Sequence, residues 1–153
     1  MKKVRLLKTV DECFERGLLQ KIDPSRTKSQ QSLRLAKDWL HEAETNFEAE
    51  AYRSALSSAY LAVFHSARAV LFRDSVREKS HYCIGLYLQT YVENEELEEE
   101  WPMLFDRIRS VRHADQYSFQ AKPTDEEVVS GLHLADSFIN RMELLLSETG
   151  KRE

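Results

Sequence analysis

Between residues 107 and 117 the chain reads Arg-Ile-Arg-Ser-Val-Arg-His-Ala-Asp-Gln-Tyr, its densest run of groups able to hold phosphate and move protons. An arginine fork binds phosphate through two parallel hydrogen bonds and stays charged at any physiological pH. An imidazole gives or takes a proton near neutrality. Together they suffice for metal-independent cleavage of RNA. His113 would assist the 2′-hydroxyl or the leaving oxygen, and Arg107 or Arg109 would hold the charged phosphorane. A solvated basic helix face that offsets nearby carboxylates is the alternative left open by spacing alone. Projected at about 100° per residue, Leu104, Ile108 and Val111 point one way and Asp115 joins them. Arg109, His113 and Tyr117 then form an outward column, with Arg107 and Arg112 on its shoulders.

Elsewhere the chemistry is sparse. His65 follows Phe64 and reads first as a hydrogen-bonded core or interface histidine, with Tyr52 and Tyr60 as packing residues whose hydroxyls are anchored. No Gly-rich phosphate loop, nucleophile elbow or HExxH is present. The five histidines fall one per segment, with no spacing that would converge on a metal, so neither metal nor cofactor is expected. Cys13 and Cys83 sit in unrelated contexts and read as free, reduced thiols of a cytoplasmic protein. The basic start is interrupted by Lys8 and Asp11-Glu12 too soon for a signal peptide, and no run approaches the roughly 18 apolar residues of a span, so no membrane is expected. A formal net charge of −4 argues against DNA held on a broad basic surface.

These residues must be positioned by helices. Only 4 Gly and 3 Pro occur in 153 residues, too few for the turns of an all-β fold, and the 42% hydrophobic and 31% charged residues suit one globular domain. Val10–Gly17 predicts a short helix stopped by Gly17, and Gln20–Ser32 a linker or loosely held arm. Leu33, Ala36, Leu40, Ala43 and Phe47 mark an amphipathic helix from about Ser29 to Glu50. From about Ala51 to Arg73, a small-residue row (Ala55, Ala59, Ala62, Ser66, Ala69) lies beside a larger one (Leu56, Tyr60, Val63, Ala67, Val70), which predicts a central helix. Ser80 caps a helix over His81–Glu93, and the acidic run Glu93–Glu100 reads as a solvated connection. A fourth helix opens near Trp101-Pro102, and Thr124 with Glu127 forms a capping box for the last. The expected fold is all-α, an antiparallel four- to five-helix up-and-down bundle: residues 1–28 as short helix and linker, residues 29–148 as the bundle, one domain overall.

The run Tyr52-Arg-Ser-Ala55-Leu-Ser-Ser-Ala59-Tyr60-Leu-Ala62-Val-Phe64-His65-Ser-Ala67-Arg68-Ala69-Val-Leu71 resembles the central helix of HEPN proteins (higher eukaryotes and prokaryotes nucleotide-binding), closest to their small stand-alone prokaryotic members. Lys79-Ser80-His81 is similar to the start of their third helix, and Arg112 to Tyr117 to their fourth. The resemblance spans about Ser29–Leu146. It implies an HEPN-like bundle that forms a homodimer with a cleft between protomers. Many such proteins are ribonuclease toxins whose antitoxin is a minimal nucleotidyltransferase. Their signature of Arg, four to six residues, then His is met by Arg107 and His113, whereas Arg109 stands one residue too close. Ile108 replaces the usual polar residue, and Tyr117 lies four beyond His113 rather than two. The resemblance therefore implies Arg107, Arg109 and His113 as catalytic residues and Arg112, Tyr117 and His65 as nucleotide- or RNA-binding ones. The alternative is a non-catalytic HEPN subunit that binds a nucleotide or docks a nucleotidyltransferase through the same surface. A purely structural dimer module is a third possibility.

Overall fold

The computed structural model describes residues 7–117 and 122–149, apart from the side chains of 113–117 and 149. Along the described chain run α1 (Val10–Glu15), β1 (Leu19–Lys21), α2 (Arg26–Glu48), α3 (Tyr52–Arg73), β2 (Val76–Glu78), α4 (His81–Glu93), α5 (Glu100–Tyr117) and α6 (Asp125–Thr149). The molecule is an all-α bundle, 76% helical.

The helix ends are fixed locally. The side chains of Thr9, Ser25 and Ser80 accept from the backbone N–H groups of Glu12, Lys28 and Cys83, and Thr124 does the same for Glu127. Helices α1 to α4 are each followed by a residue in the left-handed region, Gly17, Glu50, Ser75 and Glu95. Only Gly17 advertises that stop in the sequence, because the other three enter the region against a steric cost of about 1 kcal/mol.

Helix α3 is the centre. Its small-residue row is wholly buried, as are Tyr60, Val63, Ala67 and Val70. On one side the hydroxyls of Ser29 and Ser32 in α2 donate to the α3 carbonyls of Ala69 and His65 at 2.7 and 2.8 Å. On another, α6 approaches so closely at Gly131 that a Cβ there would meet Leu56 Cδ2 at 2.8 Å. Contrary to the sequence expectation, α3 is long and apolar enough to cross a membrane, but most of it is buried inside the bundle.

From α2 to α6 each helix reverses the direction of the one before it, except that α4 runs the same way as α3; α6, packed on α3, also runs parallel to it. Ser29 meets Ala69 and Asn46 meets Ser58, so α2 and α3 are antiparallel. Tyr60 meets His81 and Arg73 meets Tyr91, so α3 and α4 run the same way. The chain must travel back along α3 to allow this. Thirteen residues of helix rise about 20 Å, and the seven residues from Asp74 to Ser80 span about 23 Å when extended. Strand β2 is that return path.

It also corrects two expectations about the N-terminal segment. The stretch read as a loose arm contributes β1, which pairs antiparallel with β2 in the register Leu19 to Glu78, Gln20 to Arg77 and Lys21 to Val76. Helix α2 begins already at Arg26. The cysteines read as free thiols are a disulfide, Cys13–Cys83, with Cα atoms 6.1 Å apart and both residues fully buried. Seventy residues separate them in sequence, and the β1–β2 ribbon is what brings α1 beside α4. The Tyr82 hydroxyl adds a third tie by donating to the Leu7 carbonyl at 2.8 Å.

Candidate functional site

Helix α5 is rotated relative to the simple projection. Val111, expected inward, is 48% exposed, and the fully buried residue is Phe105, whose ring lies 6.1 Å from that of Phe138 on α6. Trp101 meets the same ring at 6.0 Å. These large aromatic groups bury more area than Leu104 or Val111 could, so they set which face turns inward. Arg109 and Arg112 are consequently carried into the seam between helices, not out to solvent.

There they meet residues of α3 and α4. The Arg112 guanidinium lies over the Tyr60 ring, 4.7 Å from its centroid, and Arg109 lies over Tyr82 at 5.7 Å. The Tyr60 hydroxyl is 2.5 Å from His81 Nδ1. Phe64 stacks on His81 at 4.2 Å and meets His65 edge-on at 4.8 Å. Arg68 completes the group, lying over both Phe64 and Phe72. Because α3 and α4 run the same way, His81 at the start of α4 falls beside the middle of α3. The β2 return therefore assembles this cluster.

Its charges are unevenly balanced. Arg109 is held by Asp106 at 2.8 Å, one turn back on its own helix. Arg68 Nε lies 3.2 Å from Glu78 on β2, close enough for attraction but not aligned as a hydrogen bond. Arg112 has no acidic partner among the described residues, and its Nε is buried without a hydrogen bond. Both imidazoles are kept neutral. Burial, then the charges of Arg68 and His81, lower His65 to about 4. Burial, then Arg112, Arg109 and Arg68, lower His81 as well. Burial pushes the Tyr60 hydroxyl up to about 12 against the pull of Arg112 and Arg109. The guanidinium groups of Arg109 and Arg112 beside the half-buried His81 offer hydrogen-bond donors to an anion, while the buried Tyr60 hydroxyl is engaged with His81.

The site residues expected from sequence divide as follows. Arg109, Arg112 and His65 come together in this cluster. Arg107 is exposed and lines a separate groove of about 710 Å³ between α3, α5 and α6, with Leu56, Val111 and Glu127, which Arg112 also borders. The side chains of His113 and Tyr117 lie outside the described residues; their backbone positions are one and two helical turns beyond Arg109 on α5. Tyr60, Arg68, His81 and Tyr82 were not among the expected site residues. For Arg68 a signal existed, since it follows His65 by three positions on one helix face, but His81 looked only like the residue after a cap. Among the described residues, no three His, Cys, Asp or Glu side chains group as metal ligands.

The sequence profile of the family described as "HEPN domain" matches residues 29–145. The chain belongs to the HEPN family. A protein of Methanocaldococcus jannaschii that carries the name "Putative toxin MJ0605" is 32% identical over 124 residues, covering 80% of this chain and 92% of that protein. The HEPN match begins within α2 and ends within α6, so α1 and β1, which brace the start of α4 through the disulfide and the ribbon, precede the matched region.

Proposed function

We propose that this HEPN protein is a metal-independent ribonuclease acting as the toxin of a toxin–antitoxin pair. The observation that carries the reading is Arg112, a half-buried cation without an acidic partner among the described residues, set beside Arg109 and two neutral imidazoles. An uncompensated guanidinium in such a setting is costly unless an anion arrives to pair with it. A phosphodiester would fit between the arginines. The 2′-oxygen then attacks phosphorus as its proton passes to His113, the arginines hold the phosphorane charge, and the 5′-oxygen leaves with a proton taken from water while His113 gives its own back to solvent. The products are a 2′,3′-cyclic phosphate and a 5′-hydroxyl. In this reading the active form is a cytoplasmic homodimer, Arg107 reaches the RNA from a protomer edge, and a minimal nucleotidyltransferase is the antitoxin. The name of the archaeal relative supports the toxin part of the reading.

Inducing the protein in bacteria should arrest growth and leave cellular RNA with cyclic phosphate ends, and His113→Ala should relieve both. Equal harmlessness of wild type and variant sinks the reading. A second reading is a non-catalytic subunit that binds a nucleotide or docks the nucleotidyltransferase. It is favoured by Ile108 where the family motif carries a polar residue and by the spacing of Tyr117. Co-expression with such a partner, followed by intact mass, would then reveal a nucleotide adduct on Tyr117.

A further inference from the structure

His81 is the first residue of α4, on the helix whose N-terminal turn the disulfide ties to α1. Its ring plane is fixed by stacking on Phe64, and its Nδ1 faces the Tyr60 hydroxyl at 2.5 Å. The Tyr60 hydroxyl is fully buried, keeps its proton and has no other acceptor among the described residues, so it is assigned as the donor and Nδ1 as the acceptor. A neutral imidazole whose Nδ1 accepts carries its hydrogen on Nε2. No described residue accepts from Nε2, and His81 as a residue is only half-buried.

We propose that His81 is a phosphate-binding residue of this site, a neutral imidazole whose Nε2–H donates to a non-bridging oxygen of the bound phosphate while Tyr60 holds it in that tautomer. The inference deepens the ribonuclease reading and rests on it for the identity of the ligand as RNA. The groups around the ring favour a neutral donor over an imidazolium. Tyr60, His65 and Arg68 face it from α3, Arg109 and Arg112 from α5, and Tyr82 follows it on α4; the acids Glu78 and Asp106 are engaged by Arg68 and Arg109. The positive end of the α4 dipole acts in the same direction.

The test is binding of a short, fully 2′-O-methylated RNA, which cannot be cleaved, with ATP as a second probe, both followed by fluorescence or calorimetric titration of the intact protein. His81→Phe keeps the stacking and removes the donor. It is expected to weaken binding roughly tenfold, the worth of one hydrogen bond to a charged group. His81→Gln, which returns an N–H near the same place, should recover most of the loss. Tyr60→Phe, which frees the ring to carry its hydrogen on Nδ1 instead, should weaken binding by less than His81→Phe does. Wild-type affinity in His81→Phe, or no recovery in His81→Gln, overturns the proposal; near-UV circular dichroism of the Gln variant guards against misfolding. RNA binding that depends on His81 in a protein that never cleaves RNA would leave this inference standing and remove the ribonuclease reading. A response to His81 with ATP alone would make the ligand a free nucleotide. A wild type that binds neither probe overturns both.

Discussion

Near one end of α3, Arg73 lies over the ring of Tyr91, 5.8 Å from its centroid; nearer the other end, Arg112 of α5 lies over Tyr60 at 4.7 Å. The residue types are the same, but the company differs. Arg73 is followed by Asp74, 3.0 Å from its Nε, and donates to the Tyr91 hydroxyl at 2.5 Å and to the carbonyls of Leu145 and Leu146. Asp74 in turn accepts from both Tyr87 and Tyr91, whose hydroxyls burial and that carboxylate push well above the usual phenol range. Every charge there is answered within the protein, and the result clamps α3, α4 and α6 together. Around Arg112 the nearest acids among the described residues are engaged elsewhere, and the described part of the site has donors to spare. Arginine on an aromatic face therefore marks neither structure nor function by itself. The supply of carboxylates decides which it is.

Three experiments would break or sharpen this contrast. The largest effect is expected from the disulfide, which closes about 70 residues and should contribute about 4 kcal/mol by chain entropy. Replacing Cys13 and Cys83 by Ser together, or adding a dithiol reductant, should lower the urea midpoint. Amide exchange should speed up at the first turn of α4, beside His81, and change little near Tyr91. An even loss of protection would mean that the two ends are not independent.

Next comes a crossed pair. Asp74→Ala takes the acceptor from two tyrosine hydroxyls and the counter-charge from Arg73, and should cost about 3 kcal/mol of stability with RNA affinity unchanged below the new melting point. Arg112→Gln should alter stability by less than about 1 kcal/mol, and can raise it, while weakening RNA binding roughly tenfold. A variant that moved both quantities equally would erase the distinction between clamp and site.

The smallest effect is one of pH. The folded state lowers His65 to about 4, below the ordinary value of an exposed imidazole. On acidification the unfolded chain takes up its proton first, so stability is fully present above about pH 6.5 and falls as pH drops toward 4. His65→Gln should flatten that part of a melting-temperature profile, whereas Asp74→Ala should leave its shape intact. An unchanged profile in His65→Gln would remove His65 from the account.

The helices were legible because each carries its own instructions. Ser80 and Thr124 cap where the pattern says, α4 spans the expected His81–Glu93, and the last helix buries Val128, Ala135, Phe138, Met142 and Leu145 as its periodicity requires. On α5 the stripe was ambiguous. Apolar residues stood on more than one side, and the choice between Phe105 and Val111 was made by Phe138, a residue 33 positions away. The segment of the site was visible as a concentration of Arg and His, but its members were not. Arg107 and Arg109 are neighbours in sequence, yet they fall on opposite sides of a helix and serve different surfaces.

The sequence alone therefore determined the family and the helices with their caps, and it marked the stretch of chain where Arg and His concentrate, because propensity, periodicity and motif are local properties. The tertiary structure decided which arginine is left without a counter-charge among the described residues and which histidine faces it. The physical reason lies in the seven residues after α3. Running back as an extended strand beside β1, they reverse about 20 Å of helix, start α4 at the level of Tyr60, and bring His81 and Cys83 to partners that no spacing in the chain could have named.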